Sequence, residues 1–145
     1  MAQTGQRVDP YPNFNFLVEI DGITRAAFRE CTGFDSTIDV IEYREGGDAT
    51  TPRKLPGQTR HSNIVLKWGL ADDTDLYEWH RATVRGNVQR RNGSIVLLDV
   101  RGQERMRWNF VRAWPAKWDG PDFHADGKES AIETLELAHE GIERA

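Results

Sequence analysis

Residues 94 to 100 read SIVLLDV, an apolar run of strand length without alternation, so the strand it forms needs cover on both faces. The chain offers one convincing helix for that purpose, at residues 74 to 85. There Leu76, Trp79 and Thr83 fall along one stripe, Asp72, Asp73 and Asp75 supply N-cap and first-turn carboxylates, and Gly86 stands at the C′ position. A single helix covers one face of one sheet. The other face must be closed by more sheet or by another subunit, which restricts the fold to a barrel or sandwich.

The remaining strands come from spacing. Residues 13 to 20 place Phe14, Phe16, Val18 and Ile20 at intervals of two, Asp21-Gly22 is a hairpin signal, and a second strand runs from about Ala26 to Cys31 before a turn at Thr32-Gly33. Residues 36 to 45 put Ile38 and Val40 on one face but Ile41 and Tyr43 on the other, which predicts a bulge or change of partner near Val40. Residues 63 to 68 form another strand, and Asn92-Gly93 introduces the apolar run. The cleanest alternation sets Met106, Trp108, Phe110 and Trp114 against Arg105, Arg107 and Asn109, a long strand with an aromatic core face. Trp114-Pro115 demotes the next stretch of chain to an edge or a bend. The last strand, 130 to 139, has Ile132 on one face and Leu135 and Leu137 on the other, a second slip of phase. The expected fold is mainly β (α+β): one domain over residues 1–145, an antiparallel β-barrel or sandwich of about seven strands with one peripheral α-helix.

Two stretches lie outside this pattern. Residues 1–12, with Gly5, Pro10 and Pro12, read as an arm that orders against a neighbour. Residues 45–60, EGGDATTPRKLPGQTR, have no periodicity and read as a long loop of the kind that usually carries function.

Composition removes several function classes. A net charge of −4, with 19 basic residues among 23 acidic ones, leaves no basic field for a phosphate backbone or an anionic membrane. The single cysteine, Cys31, excludes an intrachain disulfide and a Cys-rich metal cluster, and reads as a small buried apolar side chain. No secretion-type apolar core opens the sequence and no run of about 18 apolar residues occurs, so synthesis in the cytoplasm without a membrane anchor is expected. His61, His80, His124 and His139 are scattered, without metal-ligand spacing. Asp72, Asp73 and Asp75 lack the glycine and glutamate of a calcium loop, and Gly127-Lys128 is followed by Glu129 where a phosphate loop needs a hydroxyl. No nucleophile elbow is present, and Asp119 and Asp122 fall in turns. No enzyme, catalytic residue, metal or cofactor is expected. Trp68, Trp79, Trp108, Trp114 and Trp118 read chiefly as core, with Trp118 left open as a surface ring. A sheet with both faces apolar and open edges extends naturally by pairing with copies of itself.

DPYPNFNFLVEIDG (9 to 22), ECTGFDSTIDVIEYREGG (30 to 47), LYEWH (76 to 80), RNGSIVLLDVRGQERMRWNFVRAWPAKWDGP (91 to 121) and AIETLELAHEGI (131 to 142) together resemble the tail-tube protein family of contractile phages and extracellular injection systems, itself similar to the tube subunit of type VI secretion. The resemblance implies hexameric rings stacked into a hollow tube, strands lining the lumen, and a loop at 45–60 between rings. It makes Tyr11, Pro12, Glu45, Gly46, Gly47, Arg53, Lys54 and Leu55 the candidate contacts and carries over no catalytic residue. The implied partners are other copies of the chain, a sheath protein, a baseplate and tube-terminating proteins, with DNA or protein cargo passing through the lumen without specific binding. The acidic balance suits a lumen that repels DNA. The assembled location would be a phage tail or a released injection particle. A monomeric ligand- or carbohydrate-binding β-barrel is the alternative, and an enzyme with a dispersed site a third reading; both predict a monomer.

Overall fold

The computed structural model describes residues 15–25, 28–44, 46–47, 50–70, 72–123, 125–127 and 131–145. Along the chain these form β1 (Phe16–Ile20), β2 (Ile23–Arg25), β3 (Phe28–Thr32), β4 (Thr37–Tyr43), β5 (Arg53–Arg60), β6 (Ile64–Gly69), α1 (Asp75–Val84), β7 (Arg91–Leu98), β8 (Glu104–Asp119), β9 (Ile132–Ala138) and β10 (Gly141–Arg144). One antiparallel sheet runs β2-β1-β7-β8-β9-β6-β3, with β10 added beside β8, while β4 and β5 pair only with each other. The large sheet is not closed by hydrogen bonds, but it curls until Phe16 of β1 stacks near Phe28 of β3, ring centres 6.5 Å apart. Phe28 in turn meets the edge of Trp68 at 5.9 Å. Among the described residues, the expected antiparallel β architecture with one helix is what forms.

The core lies inside that curl. Val18, Ile20, Ile64, Leu66, Trp68, Ile95, Phe110, Leu135 and Leu137 come from the strands, and Leu76 and Trp79 come from the helix, all buried. The helix is held by a side-chain carboxylate at its start and by backbone hydrogen bonds at its end. Asp73 Oδ1 accepts the Asp75 amide at 2.9 Å, whereas Thr74 at the cap position makes no side-chain cap bond. Gly86 (φ 90) and Asn87 donate back to Thr83 and Ala82 and end the helix. The indole of Trp79 donates to the Gln89 carbonyl at 2.7 Å, which satisfies a polar atom that burial would otherwise strand.

β8 joins the two halves of the sheet. Its first half pairs with β7 and β10 and its last residues pair with β9. The change occurs at Arg112, whose φ of 52 is left-handed, and whose amide donates to Asn92 Oδ1 at 2.9 Å. The irregularity shifts the side-chain phase by one residue, so Ala113 and Pro115 are buried, and Trp114 is only half-buried. Of the aromatic face read from the sequence, Phe110 joins the core, while Met106 and Trp108 remain half-buried. Pro115 does not end the strand: it pairs with Leu137 beside a register shift, and among the described residues the stretch from Trp114 to Asp119 pairs with β9 alone, the edge expected here, where the missing N–H is tolerated. β9 shows no slip of phase. Glu133, Leu135 and Leu137 face inward together and Ile132 is exposed. Asn92-Gly93 lies inside β7 as an irregularity opposite the Arg112 bend and is not a turn.

Gly93 illustrates how tightly that corner is built. A Cβ there would stand 2.4 Å from Phe110 Cζ and 2.5 Å from the Glu19 carbonyl oxygen. Gly93→Ala is therefore expected to destabilise the fold by about 3 kcal/mol, as overpacking of a filled core does, measurable by denaturant unfolding. A second prediction concerns the β7–β8 turn, where the buried Asp99 carboxylate accepts the amides of Gln103 and Arg101 and pairs with Arg105 Nε at 2.9 Å. The Gln103 amide, then the Arg101 amide and the Arg105 guanidinium, hold its carboxyl below the usual carboxylate range. Its stabilising effect is present above an unfolded value of about 3.9 and is lost as pH falls through the lower folded value. Asp99→Asn should thus be less stable than wild type near neutrality, with the gap narrowing below about pH 4 in acid unfolding curves.

Candidate assembly surfaces

Among the described residues, β4 and β5 form a hairpin arm that makes no extensive contact with the rest of the sheet or with the helix beyond its base. Residues 53 to 60, expected within a structureless loop, are its return strand, paired from Tyr43↔Arg53 to Thr37↔Arg60. The irregularity expected near Val40 is present, as a register shift between Ile38 and Val40 that places Pro56 opposite Val40. Above that shift the cross-strand pairs Ile41↔Leu55 and Tyr43↔Arg53 share one face. Ile38, Val40, Ile41, Tyr43 and Leu55 are all exposed, Val40 by 64%. An isolated two-stranded hairpin is marginal in water, and exposed apolar and aromatic side chains grouped in this way are characteristic of interaction surfaces.

The base of the arm is fixed where the strand before it and the strand after it meet the sheet. Gly33 (φ 99) passes so close to β6 that a Cβ would lie 2.0 Å from the Asn63 carbonyl oxygen. Phe34 packs on Trp108, ring centres 5.6 Å apart. Asp35 accepts the Ser62 hydroxyl at 2.5 Å and the Ser62 amide at 2.8 Å; these bonds, the hydroxyl's above all, hold its carboxyl below its ordinary value. His61 Nδ1 lies 3.1 Å from the Asp35 carbonyl, and the His61 and His139 rings stand 5.3 Å apart. The Gly141 amide can only donate, so His139 Nδ1 accepts from it at 3.2 Å and Nε2 carries the proton toward the Ser62 carbonyl, 3.0 Å away. The arm is thus clamped at its root and, among the described residues, uncovered along its length.

The structure gathers five candidate contact residues on this arm. Gly46 and Gly47 sit in its connecting turn, and Arg53, Lys54 and Leu55 begin its return strand. Tyr11, Pro12 and Glu45 lie outside the described residues. Ile38, Val40, Ile41 and Tyr43 are exposed apolar residues of the arm that are not among the expected contacts, although their two-faced apolar pattern is the signal that could have named them. Trp118 proves half-buried: its indole donates to Glu133 Oε2 at 3.0 Å, and its ring meets Tyr77 at 4.9 Å. His61, His80 and His139 are each tied to a backbone carbonyl. Cys31 is half-buried, and burial pushes its thiol up to about 12.

Asp35→Ala should unclamp the arm, raising the rate of tryptic cleavage at Arg44, Arg53 or Lys54 by about tenfold, because local opening governs proteolysis, while the main unfolding transition moves little. Cys31 should resist alkylation at neutral pH in the native protein and react only after denaturation, as mass spectrometry would report.

The model of the T4-like virus tail tube protein gp19 family matches residues 12–143. No curated protein matches the chain. Among solved structures, a chain in the anti-feeding prophage cap, the AFP tube terminating cap, is 28% identical, with 100% of this chain and 99% of that one covered and a TM-score of 0.84. A chain in the PVC sheath-tube complex of an extracellular contractile injection system, in its extended state, is also 28% identical, with 94% and 91% covered and a TM-score of 0.84. Hcp1 from Flavobacterium johnsoniae, 18% identical over 90% and 94% of the two chains, shares the fold with a TM-score of 0.56. The match covers residues 12–143 of 145, and the chain belongs to the T4-like virus tail tube protein gp19 family.

Proposed function

We propose that copies of this chain close into hexameric rings and that the rings stack into the hollow inner tube of a contractile tail or extracellular injection particle, with the β4–β5 arm lodged between rings. A structural tube-subunit role comes with membership of the family. The arm carries the finer reading: it is clamped at its root, exposes Ile38, Val40, Ile41, Tyr43 and Leu55, and is uncovered by the described residues of its own chain. Ring and stack formation supply the cover.

In this reading the subunit is not an enzyme; its action is mechanical. It is made in the cytoplasm, assembles on a baseplate, is ended by a terminating protein, and is driven through a target envelope by a contracting sheath. Gly46, Gly47, Arg53, Lys54 and Leu55 make the inter-ring contacts, together with Tyr11, Pro12 and Glu45. DNA or protein cargo passes through the channel. The channel wall falls to the polar face of β1, β7 and β8. There Arg107 bridges Glu19 and Glu104 at 3.0 and 2.7 Å, Arg105 pairs with Asp99, and Ser94 bonds Asn109 at 2.6 Å. Guanidinium groups already engaged by carboxylates offer little to a phosphate backbone, so cargo slides and is not held.

Sedimentation against concentration and negative-stain microscopy test this reading. Rings or tubes are expected, and Ile41→Asp should abolish them while leaving the unfolding midpoint within a few degrees of wild type, since Ile41 is exposed. A concentration-independent monomer that does not polymerise even on its cognate baseplate would favour the ligand-binding barrel instead.

A further inference from the structure

The helix N-terminus, the end of β8 and the start of β9 enclose an open cleft of about 290 Å³. Trp68, Leu70, Tyr77, Trp118 and Phe123 make its walls, and Asp73 and Glu133 bring carboxylates to it; no Lys or Arg lines it among the described residues. Glu133 is only 8% exposed and fixes Trp118 through its indole N–H, so the aromatic wall is held in place before anything binds. Phe123, by contrast, is 77% exposed and Leu70 is 53% exposed, apolar surface that the described residues of this chain leave open. At this volume the cleft takes a few side chains and lies at or below the lower end of small-molecule pockets, which begin at roughly 300 Å³.

We propose that this cleft is the receptor for the β4–β5 arm of a second copy of the chain, a step that rests on the arm-docking reading above. The chemistry of the two surfaces is complementary. One face of the arm presents Ile41, Tyr43 and Leu55, all exposed, with Arg53 in the same cross-strand row. Apolar side chains flanked by a guanidinium suit a socket of aromatic rings edged by carboxylates, through ring contacts, cation–π attraction and charge pairing together. Their placement is complementary as well. β6 and β9 pair from Ile64↔Leu137 to Gly69↔Ile132. The arm is rooted at one end of that pair, where His139 holds Ser62, and the cleft opens at the other, beside Leu70 and Glu133. Five strand steps of about 3.3 Å separate the two ends, roughly 17 Å. Among the described residues, no extensive contact joins the arm to α1 or β8 within one chain. A plug and a socket at opposite ends of one subunit make a heterologous contact, which repeats without limit when copies are stacked.

The test is site-specific photo-cross-linking. Leu55→p-benzoylphenylalanine, mixed as a minor fraction into assembling wild-type protein, is irradiated and its adducts are mapped by mass spectrometry. Adducts to peptides of a second copy containing Leu70–Tyr77 or Trp118–Phe123 are expected. Adducts confined to other surfaces of a neighbour would overturn the cleft as receptor and leave arm docking intact. Assemblies that yield no intersubunit adduct from the arm, or a wild-type chain that never assembles, would overturn both. Phe123→Lys provides an independent arm: it should raise the protein concentration needed for assembly by about tenfold while the unfolding midpoint stays near wild type, because the side chain is exposed. Unchanged assembly by that variant would overturn the cleft as receptor.

Discussion

The bend in β8 at Arg112 is the constraint on which the rest of the molecule depends. A strand running from Glu104 to Asp119 would be about 50 Å long if fully extended, longer than any one sheet of this size can use. A left-handed residue, braced by Asn92 and opposite the Gly93 irregularity, turns it, so that one strand serves β7 and β10 on one side of the corner and β9 on the other. The same turn exchanges which side chains face inward, burying Ala113 and Pro115 after Phe110. The helix packs on β8, with His80 reaching the Pro115 carbonyl at 3.2 Å. Without the corner the sheet could not curl, and a chain with one helix could not cover its own apolar strands.

The arm is the counterpart of that economy. The curled sheet satisfies itself, but β4 and β5 are excluded from it and have neither face buried by the described residues. Their root is over-determined by the Gly33 approach, the Phe34–Trp108 contact and the Asp35–Ser62 bonds. A rigid root under an uncovered blade is the arrangement expected of an element whose binding site lies on another molecule, because preorganisation lowers the ordering cost of docking. Under the proposed ring stacking, polymerisation depends on surfaces with little bearing on the stability of the monomer.

Much of this is legible from residue spacing. β1, β6, α1 and the first half of β8 stand close to where alternation and helical stripes put them, because one face of each is buried and burial imposes the period. The bulge near Val40 is visible as a clash of two apolar phases, although β4 buries neither face against the described residues. β5 is not, since RKLPGQTR has both faces exposed and sets no apolar side chains in alternation. Alternation carried through Arg112 assigns Trp114 inward, and only a backbone dihedral reveals the shift. Glu133 escapes notice as an inward residue since a carboxylate gives no apolar signal, although its buried bond to Trp118 shapes the cleft. Of the candidate contacts, resemblance puts Arg53, Lys54 and Leu55 in the segment that forms the arm, while the exposed apolar row on β4 emerges only from its solvent accessibility.

The sequence by itself determined the fold class, the single helix and the need for a sheet to cover a sheet, because these depend on local period and on the total of apolar faces to be hidden. Family membership was equally written in collinear segments along the chain. The tertiary structure alone decided where the corner falls, that residues 53 to 60 are a strand, and that arm and aromatic cleft lie at opposite ends of β6 and β9. Those are relations between residues distant in the chain, set by register and by one positive φ, and no local pattern of side chains encodes them.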